Sequence, residues 1–311
     1  MKKIYFSAGL MLAFALASCN SSDPEQKLTA SYVTTNLVTN LSTGAVSVSP
    51  ALYTLNMDFV GMTTTVSTQN LNLGGNQNSF MSAESSFLSN TYTYTNAAGE
   101  SKYGQIIKVA SLKANLNNNS FEPIIGNEFV VSSMNFYNSL EPGSLNPAPF
   151  NPVVVAQYNV SSEYLVKTFA TDAVYEGTTT TTYPDRETGE MATFENKKMQ
   201  YRFVIDTKEN TAKLIIYNAR FAQSMPIELS SIVVEGLKVA WENGSYTITG
   251  TDIVPYVYDG GNKVPYESFK FNSITFAPTN SSLTQGSLEY DVAGIYHGSF
   301  QGSYLVEPGD K

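Results

Sequence analysis

The residue types that carry chemistry are few in this chain, and their placement excludes more reactions than it allows. Cys19 is the one cysteine and His297 the one histidine in 311 residues. A zinc or copper centre built on several His or Cys ligands therefore has no ligand set. Any triad that needs an imidazole must use His297, in the segment GIYHGSF, which reads as a strand of the last hairpin. A lone strand histidine reads as a surface or hydrogen-bond-satisfied residue rather than a catalytic base. No glycine-rich phosphate loop follows a strand and opens a helix. Carboxylates remain. Asp58 and Asp206 stand at strand ends, where Asp bonds its own turn backbone. Asp185, Glu187 and Glu190 cluster in PDRETGE; such oxygen ligands suit Ca²⁺, but EF-hand spacing is missing and the cluster reads as a solvated hairpin tip. A two-carboxylate hydrolase is compatible with the composition, yet no pair is nominated. The expectation is no catalytic residue, no metal and no cofactor.

Aromatic residues are the remaining resource: 20 Tyr, 17 Phe and one Trp, Trp241. Tyrosine joins a stacking face to a hydrogen-bonding tip, which suits sugar rings and ligands of mixed polarity. Most must be core. The candidates for ligand binding are Tyr92, Tyr94 and Tyr103 in one stretch and Tyr256, Tyr258 and Tyr266 in another. Both stretches read as insertions, and loops on a rigid β-scaffold commonly carry binding.

The elements that must hold these residues are strands. Charged residues make up only 14% of the chain, against roughly 25% in ordinary soluble proteins. The polar surface is therefore built from Ser, Thr, Asn and Gln, and the abundance of Thr, Tyr, Val and Phe favours strands over helices. Tyr53–Leu73, YTLNMDFVGMTTTVSTQNLNL, aligns without a gap with Tyr201–Phe221, YRFVIDTKENTAKLIIYNARF. Tyr53 falls on Tyr201, Asp58 on Asp206, Thr63 on Thr211 and Asn70 on Asn218. In the first copy Tyr53, Leu55, Met57 and Phe59 share one face and Asn56 and Asp58 the other, the mark of a half-buried antiparallel strand. Upstream, Thr43-Gly44 matches Thr188-Gly189. Downstream, SLKANLNNNSFE from Ser111 is set against GLKVAWENGSYT from Gly236, with Asn118-Asn119 and Asn243-Gly244 as hairpin turns. On that alignment Val254–Tyr266 has no partner in the first half. Phe129 then meets Phe269, Tyr158 meets Tyr290 and Tyr164 meets Tyr296. The period is too long for a solenoid and predicts two all-β domains, or two halves of one large sandwich, each repeat holding seven or eight hairpin-linked strands, the count of a small closed barrel or sandwich.

The N-terminus carries the most specific local motif. Lys2 and Lys3 precede an apolar run from Ile4 to Leu16, too short to span a bilayer comfortably. Leu16-Ala17-Ser18-Cys19 then resembles the lipobox of bacterial lipoproteins, which implies cleavage before Cys19 and its diacylation. Residues 1–18 are the expected signal peptide, 19–30 a lipidated tether, 31–169 the first β-domain and 170–311 the second. The acidic residues of NSSDPEQK resemble the export tag of Bacteroidetes surface lipoproteins, which implies exposure on the outer membrane. Removal of Lys2 and Lys3 leaves 27 acidic residues against 16 basic ones. Phosphate backbones need a basic footprint, so nucleic acid is excluded as a partner.

Lipobox, acidic Asn- and Tyr-rich chain, few charges and hairpin-linked strands together resemble the Bacteroidetes lipoproteins with tandem calycin-like β-barrel domains. That resemblance implies an up-and-down antiparallel barrel with room for a cavity, and lends no site residues. The expected protein is a non-enzymatic, lipid-anchored envelope protein that binds a small hydrophobic molecule or a glycan. Its membrane partner acts through the Cys19 anchor. The competing expectation is a structural, fimbrial-type surface subunit.

Overall fold

A computed structural model describes residues 27–82, 84–95, 101–109, 112–116, 121–124, 126–134, 151–160, 162–185 and 187–304. The signal peptide, Cys19 and the Asn118-Asn119 turn lie outside these residues. The chain divides into two compact units whose main boundary falls between Phe169 and Ala170. Among the described residues there is no α-helix; both units are antiparallel sheet.

The first sheet contains β1 (Lys27–Asn40), β2 (Val46–Asp58), β3 (Thr63–Leu73), β4 (Asn76–Ser82), β5 (Ser85–Thr95), β6 (Ser101–Val109), β7 (Leu112–Leu116), β8 (Phe121–Ile124), β9 (Gly126–Met134), β10 (Asn151–Val160) and β11 (Tyr164–Phe169). The hydrogen-bonded order β2-β1-β11-β10-β9-β6-β5-β3 returns to β2 through a direct β2–β3 ladder. Closure is thin at one seam, where β3 meets β5 through only two residue pairs, Thr63–Ser86 and Thr64–Ser85. The rest of the β3 edge turns to β4, which carries the β7–β8 hairpin outside the ring.

The second unit contains β12 (Asp172–Pro184), β13 (Met191–Asn196), β14 (Gln200–Asp206), β15 (Thr211–Ala219), β16 (Leu229–Glu242), β17 (Ser245–Ile253), β18 (Tyr256–Asp259), β19 (Asn262–Pro265), β20 (Phe271–Pro278), β21 (Gln285–Val292) and β22 (Tyr296–Ser303). Here the ring β15-β14-β12-β22-β21-β20-β17-β16 closes through a long β15–β16 ladder. Each ring orders eight strands, neighbours in space are successive ring strands once the outlying strands β4, β7, β8, β13, β18 and β19 are set aside, and the first strand pairs with the last. This is the up-and-down barrel meander.

The duplication extends to individual atoms. Asp58 Oδ1 accepts the backbone N–H of Val60 and Gly61, and Asp206 Oδ1 those of Lys208 and Glu209. Met62 and Asn210 close these turns at φ of 52° and 53°, and the matched Asn70 and Asn218 are both left-handed at 64° and 52°, Asn70 at a register shift of the β3–β4 ladder. The β1–β2 and β12–β13 turns are also copies. Asn40 and Asp185 each cap two following N–H groups, Thr43 and Thr188 each bond the second residue after them, and Gly44 and Gly189 take φ of 72° and 73°. Thus Asp58, Asp206 and Asp185 are turn residues, as their positions predict.

One part of the sequence alignment is corrected. The partners of β16 and β17 in ring order are β5 and β6, not the β7–β8 hairpin that the LK-containing segments suggested. The true counterpart of β7–β8, a hairpin between ring strands and outside the ring, is β18–β19. The Val254–Tyr266 segment therefore does have a partner. Short Asn-rich hairpins resemble one another in sequence, so local similarity chose the wrong pair.

Both interiors are aromatic. In the first unit Tyr53 is fully buried; its hydroxyl donates to Asn36 Oδ1 at 2.6 Å and lies 2.6 Å from the Tyr158 hydroxyl. In the second, Tyr201 holds the same place, with its hydroxyl 2.9 Å from Thr179 Oγ1 and 3.2 Å from the Tyr290 hydroxyl. Phe203 and Phe276 rings meet at 4.2 Å, Tyr201 and Phe300 at 4.4 Å, and Tyr175 and Phe276 at 5.0 Å. An eight-stranded ring is just wide enough for such side chains to fill. In the second barrel these buried rings stand where the family resemblance leaves room for a ligand.

Candidate functional site

The outer wall of the second barrel carries a built recess, and its origin is a row of glycines. Three strands bear related tripeptides: Glu176-Gly177-Thr178 on β12, Gln301-Gly302-Ser303 on β22 and Gln285-Gly286-Ser287 on β21. Register places Gly177, Gly302 and Gly286 side by side, flanked on one side by Glu176, Ser303 and Gln285 and on the other by Thr178, Gln301 and Ser287. Side chains alternate along a strand, so the glycines face inward and the polar residues outward. None of the three has room for a Cβ. At Gly177 it would strike the Gln301 carbonyl and Gly302 Cα; at Gly302 the Glu176 carbonyl and the Phe300 ring; at Gly286 the Phe276 ring. The strands approach closely here, and the outer face hollows into a recess of about 390 Å³ lined by Glu176, Thr279, Gln285, Gln301 and Ser303 besides two of the glycines. A volume of this order sits at the small end of ligand sites.

Glu176 is the one ionisable group in the lining. Gln200, directly across on β14, donates Nε2 to its Oε1 at 2.5 Å. Burial pushes the Glu176 carboxyl above its ordinary value, and the Gln200 hydrogen bond works in the opposite sense. On the same face of β14, Arg202 is committed elsewhere. Its Nε and Nη2 form a two-pronged contact with Asp172, 2.7 Å each, and this holds the guanidinium charged. The recess can therefore bind and orient a polar group. It holds a single carboxylate, whereas glycoside hydrolysis calls for two.

The tyrosines expected at the site are divided. Tyr256 and Tyr258 lie together on β18, rings 5.5 Å apart and edge to face. Tyr256 packs on the outer wall with Ile215, Tyr217 and Val233, so its ring does core work for the β18–β19 hairpin. Its hydroxyl donates to Glu235 at 2.7 Å, and Lys263 Nζ both pairs with Glu235 at 2.8 Å and stands 3.8 Å from the Tyr256 ring centre. Tyr258 is the exposed member, at 39%. Tyr266 faces a different partner, stacking on Phe269 at 4.8 Å, which in turn lies parallel to Tyr296 at 6.2 Å. Tyr92 and Tyr94 fall on β5 and Tyr103 on β6, so the insertion-loop placement is corrected: these are ring strands, and the alternating TYTYT is strand periodicity. Their side chains lie outside the described residues.

His297 is an exposed residue of β22 whose Nδ1 lies 2.9 Å from Asp291 Oδ2, on the neighbouring strand. Among the described residues no group of three or more His, Cys, Asp or Glu is gathered. The recess escaped sequence reasoning, although the paired QGS tripeptides and the EGT tripeptide mark it.

No protein-family model matches the chain, and no curated relative matches it. Among solved structures, transferrin binding protein B from serogroup B Neisseria meningitidis aligns with 91% of this chain and 77% of its own, at 9% identity and a TM-score of 0.26. A double mutant of the protein of that name from Haemophilus parasuis gives 10% identity over the same shares, again at a TM-score of 0.26. Likeness of this size carries no argument about ligand or mechanism.

Proposed function

We propose that this chain is a non-enzymatic, lipid-anchored protein of the outer membrane that binds a small polar molecule or glycan in the outer recess of its second barrel. The observation that carries the reading is the row Gly177-Gly302-Gly286. It hollows the wall and surrounds the hollow with a carboxylate, two amides and two hydroxyls. Pockets that fix an orientation use a few such converging polar groups. The polar lining of the recess favours a glycan or polar metabolite over a hydrophobic one. The lipobox supports residues 1–18 as signal peptide and Cys19 as the acylated residue. β1 starts at Lys27, so the tether from Cys19 reaches about 28 Å at most. The envelope location rests on that motif and on the resemblance to Bacteroidetes calycin-like lipoproteins. The fimbrial-type alternative needs an open strand edge. Of the sheet edges among the described residues, β8 carries Pro123 and β19 carries Lys263 and Pro265, residues that blunt strand addition, whereas β13 pairs with β12 alone.

The test is an NMR titration of residues 20–311 with a glycan and metabolite library. Shifts concentrated at 176–178, 285–287 and 301–303 support the reading. Shifts concentrated on β18–β19 would move the site to Tyr258, and polymers without ligand shifts would restore the structural alternative.

A further inference from the structure

The lining of the recess says more about its occupant than polarity. Glu176 is a half-buried carboxylate, and among the described residues it has Gln200 on Oε1, no hydrogen bond on Oε2 and no ion pair. The closest cation along β14, Arg202, is spent on Asp172. A charge partly withdrawn from water without a counter-charge carries part of the desolvation cost, and a glutamine at 176 would keep a hydrogen bond to Gln200 without it. A purely structural role gives no reason for the charge. The other lining side chains, Gln285, Gln301, Ser303 and Thr279, are neutral and each offers an acceptor oxygen.

We infer that the ligand carries a primary ammonium group that docks on Glu176, with the amide and hydroxyl oxygens of the recess taking its remaining donors. An ammonium has three N–H donors, and one carboxylate with two neutral oxygens satisfies them. A hard divalent cation needs six to eight oxygens, usually with several carboxylates, and Glu176 is alone. The volume suits an amino sugar or the side-chain amine of an amino acid. The inference rests on the recess being the binding site, and it narrows that reading from polar ligands to cationic ones.

The experiment is calorimetric titration of residues 20–311 with glucosamine, N-acetylglucosamine, glucose, butylamine and calcium chloride. Binding of glucosamine at least tenfold tighter than glucose and N-acetylglucosamine, with a tenfold or greater loss in Glu176→Gln, supports the inference. Butylamine binding as tightly as glucosamine assigns the amine alone; weaker butylamine binding assigns an amino sugar. Equal binding of neutral sugars, or amine binding that survives Glu176→Gln, overturns the ammonium while leaving the recess reading intact. Calcium binding lost in Glu176→Gln overturns it in favour of a metal. No binding of any probe overturns it, and the library titration then decides the recess reading separately. A thermal melt of Glu176→Gln confirms that the variant is folded.

Discussion

The matched interior tyrosines Tyr53 and Tyr201 provide a quantitative test of the duplicated barrel. Tyr53→Phe keeps the buried ring and removes only the hydroxyl. That hydroxyl holds Asn36 at 2.6 Å and Tyr158 at 2.6 Å, and all three side chains are buried. Asn36 remains anchored by its Nδ2 on the Thr34 and Ser49 carbonyls, so its Oδ1 stays in place and loses its partner. Leaving buried polar groups unpaired costs about 1–3 kcal/mol. In a domain of this size that is a fall in melting temperature of roughly 4–12 °C. Tyr201→Phe removes longer contacts, 2.9 Å to Thr179 and 3.2 Å to Tyr290, so its loss belongs at the lower end of the range. Each substitution should lower one of two transitions in calorimetry and leave the other within about 1 °C. The double variant Tyr53→Phe/Tyr158→Phe should cost less than the two singles summed, because removing both partners leaves fewer orphaned groups. A Tyr53→Phe variant as stable as the parent, or one that shifts both transitions equally, would refute the paired-hub reasoning.

Other outcomes follow from the same geometry. Gly177→Ala should destabilise the second barrel by about 2 kcal/mol or more in urea melts, because its Cβ meets backbone that cannot rotate away. Glu176→Gln should leave stability at pH 7 unchanged or raise it. The folded carboxyl binds its proton more tightly than the unfolded one, so its contribution falls as pH rises from the ordinary value of 4.5 through the raised one. Melts from pH 4 to 8 should show the variant gaining on the parent with pH; a pH-independent loss would count against the buried charge. Asp58 and Asp185 have carboxyls held below the ordinary 3.8 by turn N–H groups, so both turns weaken only as pH falls through those lowered values. Carboxyl-carbon NMR midpoints at or above 3.8 would contradict that. Residues 170–311 expressed alone should give a folded β circular-dichroism spectrum, since the second ring closes within them.

Much of the fold was legible because it is written in local chemistry. Tyr53 and Tyr201, Asp58 and Asp206, and Asn70 and Asn218 each mark one local geometry: an inward ring, a capped turn, a left-handed residue. The Thr-Gly pairs at 43 and 188 mark another, and all are legible within a few residues. Ring order was less legible. Two Asn-rich hairpins look alike in sequence, and only strand pairing separates β7–β8 outside one ring from β16–β17 inside the other. The recess was least legible. Glu176 meets Ser303 and Gln285 through cross-strand register alone, so no sequence window contains the site. The tyrosines drew attention by type, yet Tyr256 is tied to Glu235 and Lys263 and packed on the wall.

The central claim, a ligand site in the outer recess of the second barrel, is tested most directly by native mass spectrometry of residues 20–311 purified from cell extract and exposed to the glycan and amine library. The account predicts a one-to-one adduct that disappears in Gln301→Trp, which fills the recess, and persists in Tyr258→Ala. An adduct that survives Gln301→Trp, or a bare chain that forms concentration-dependent polymers, would contradict it.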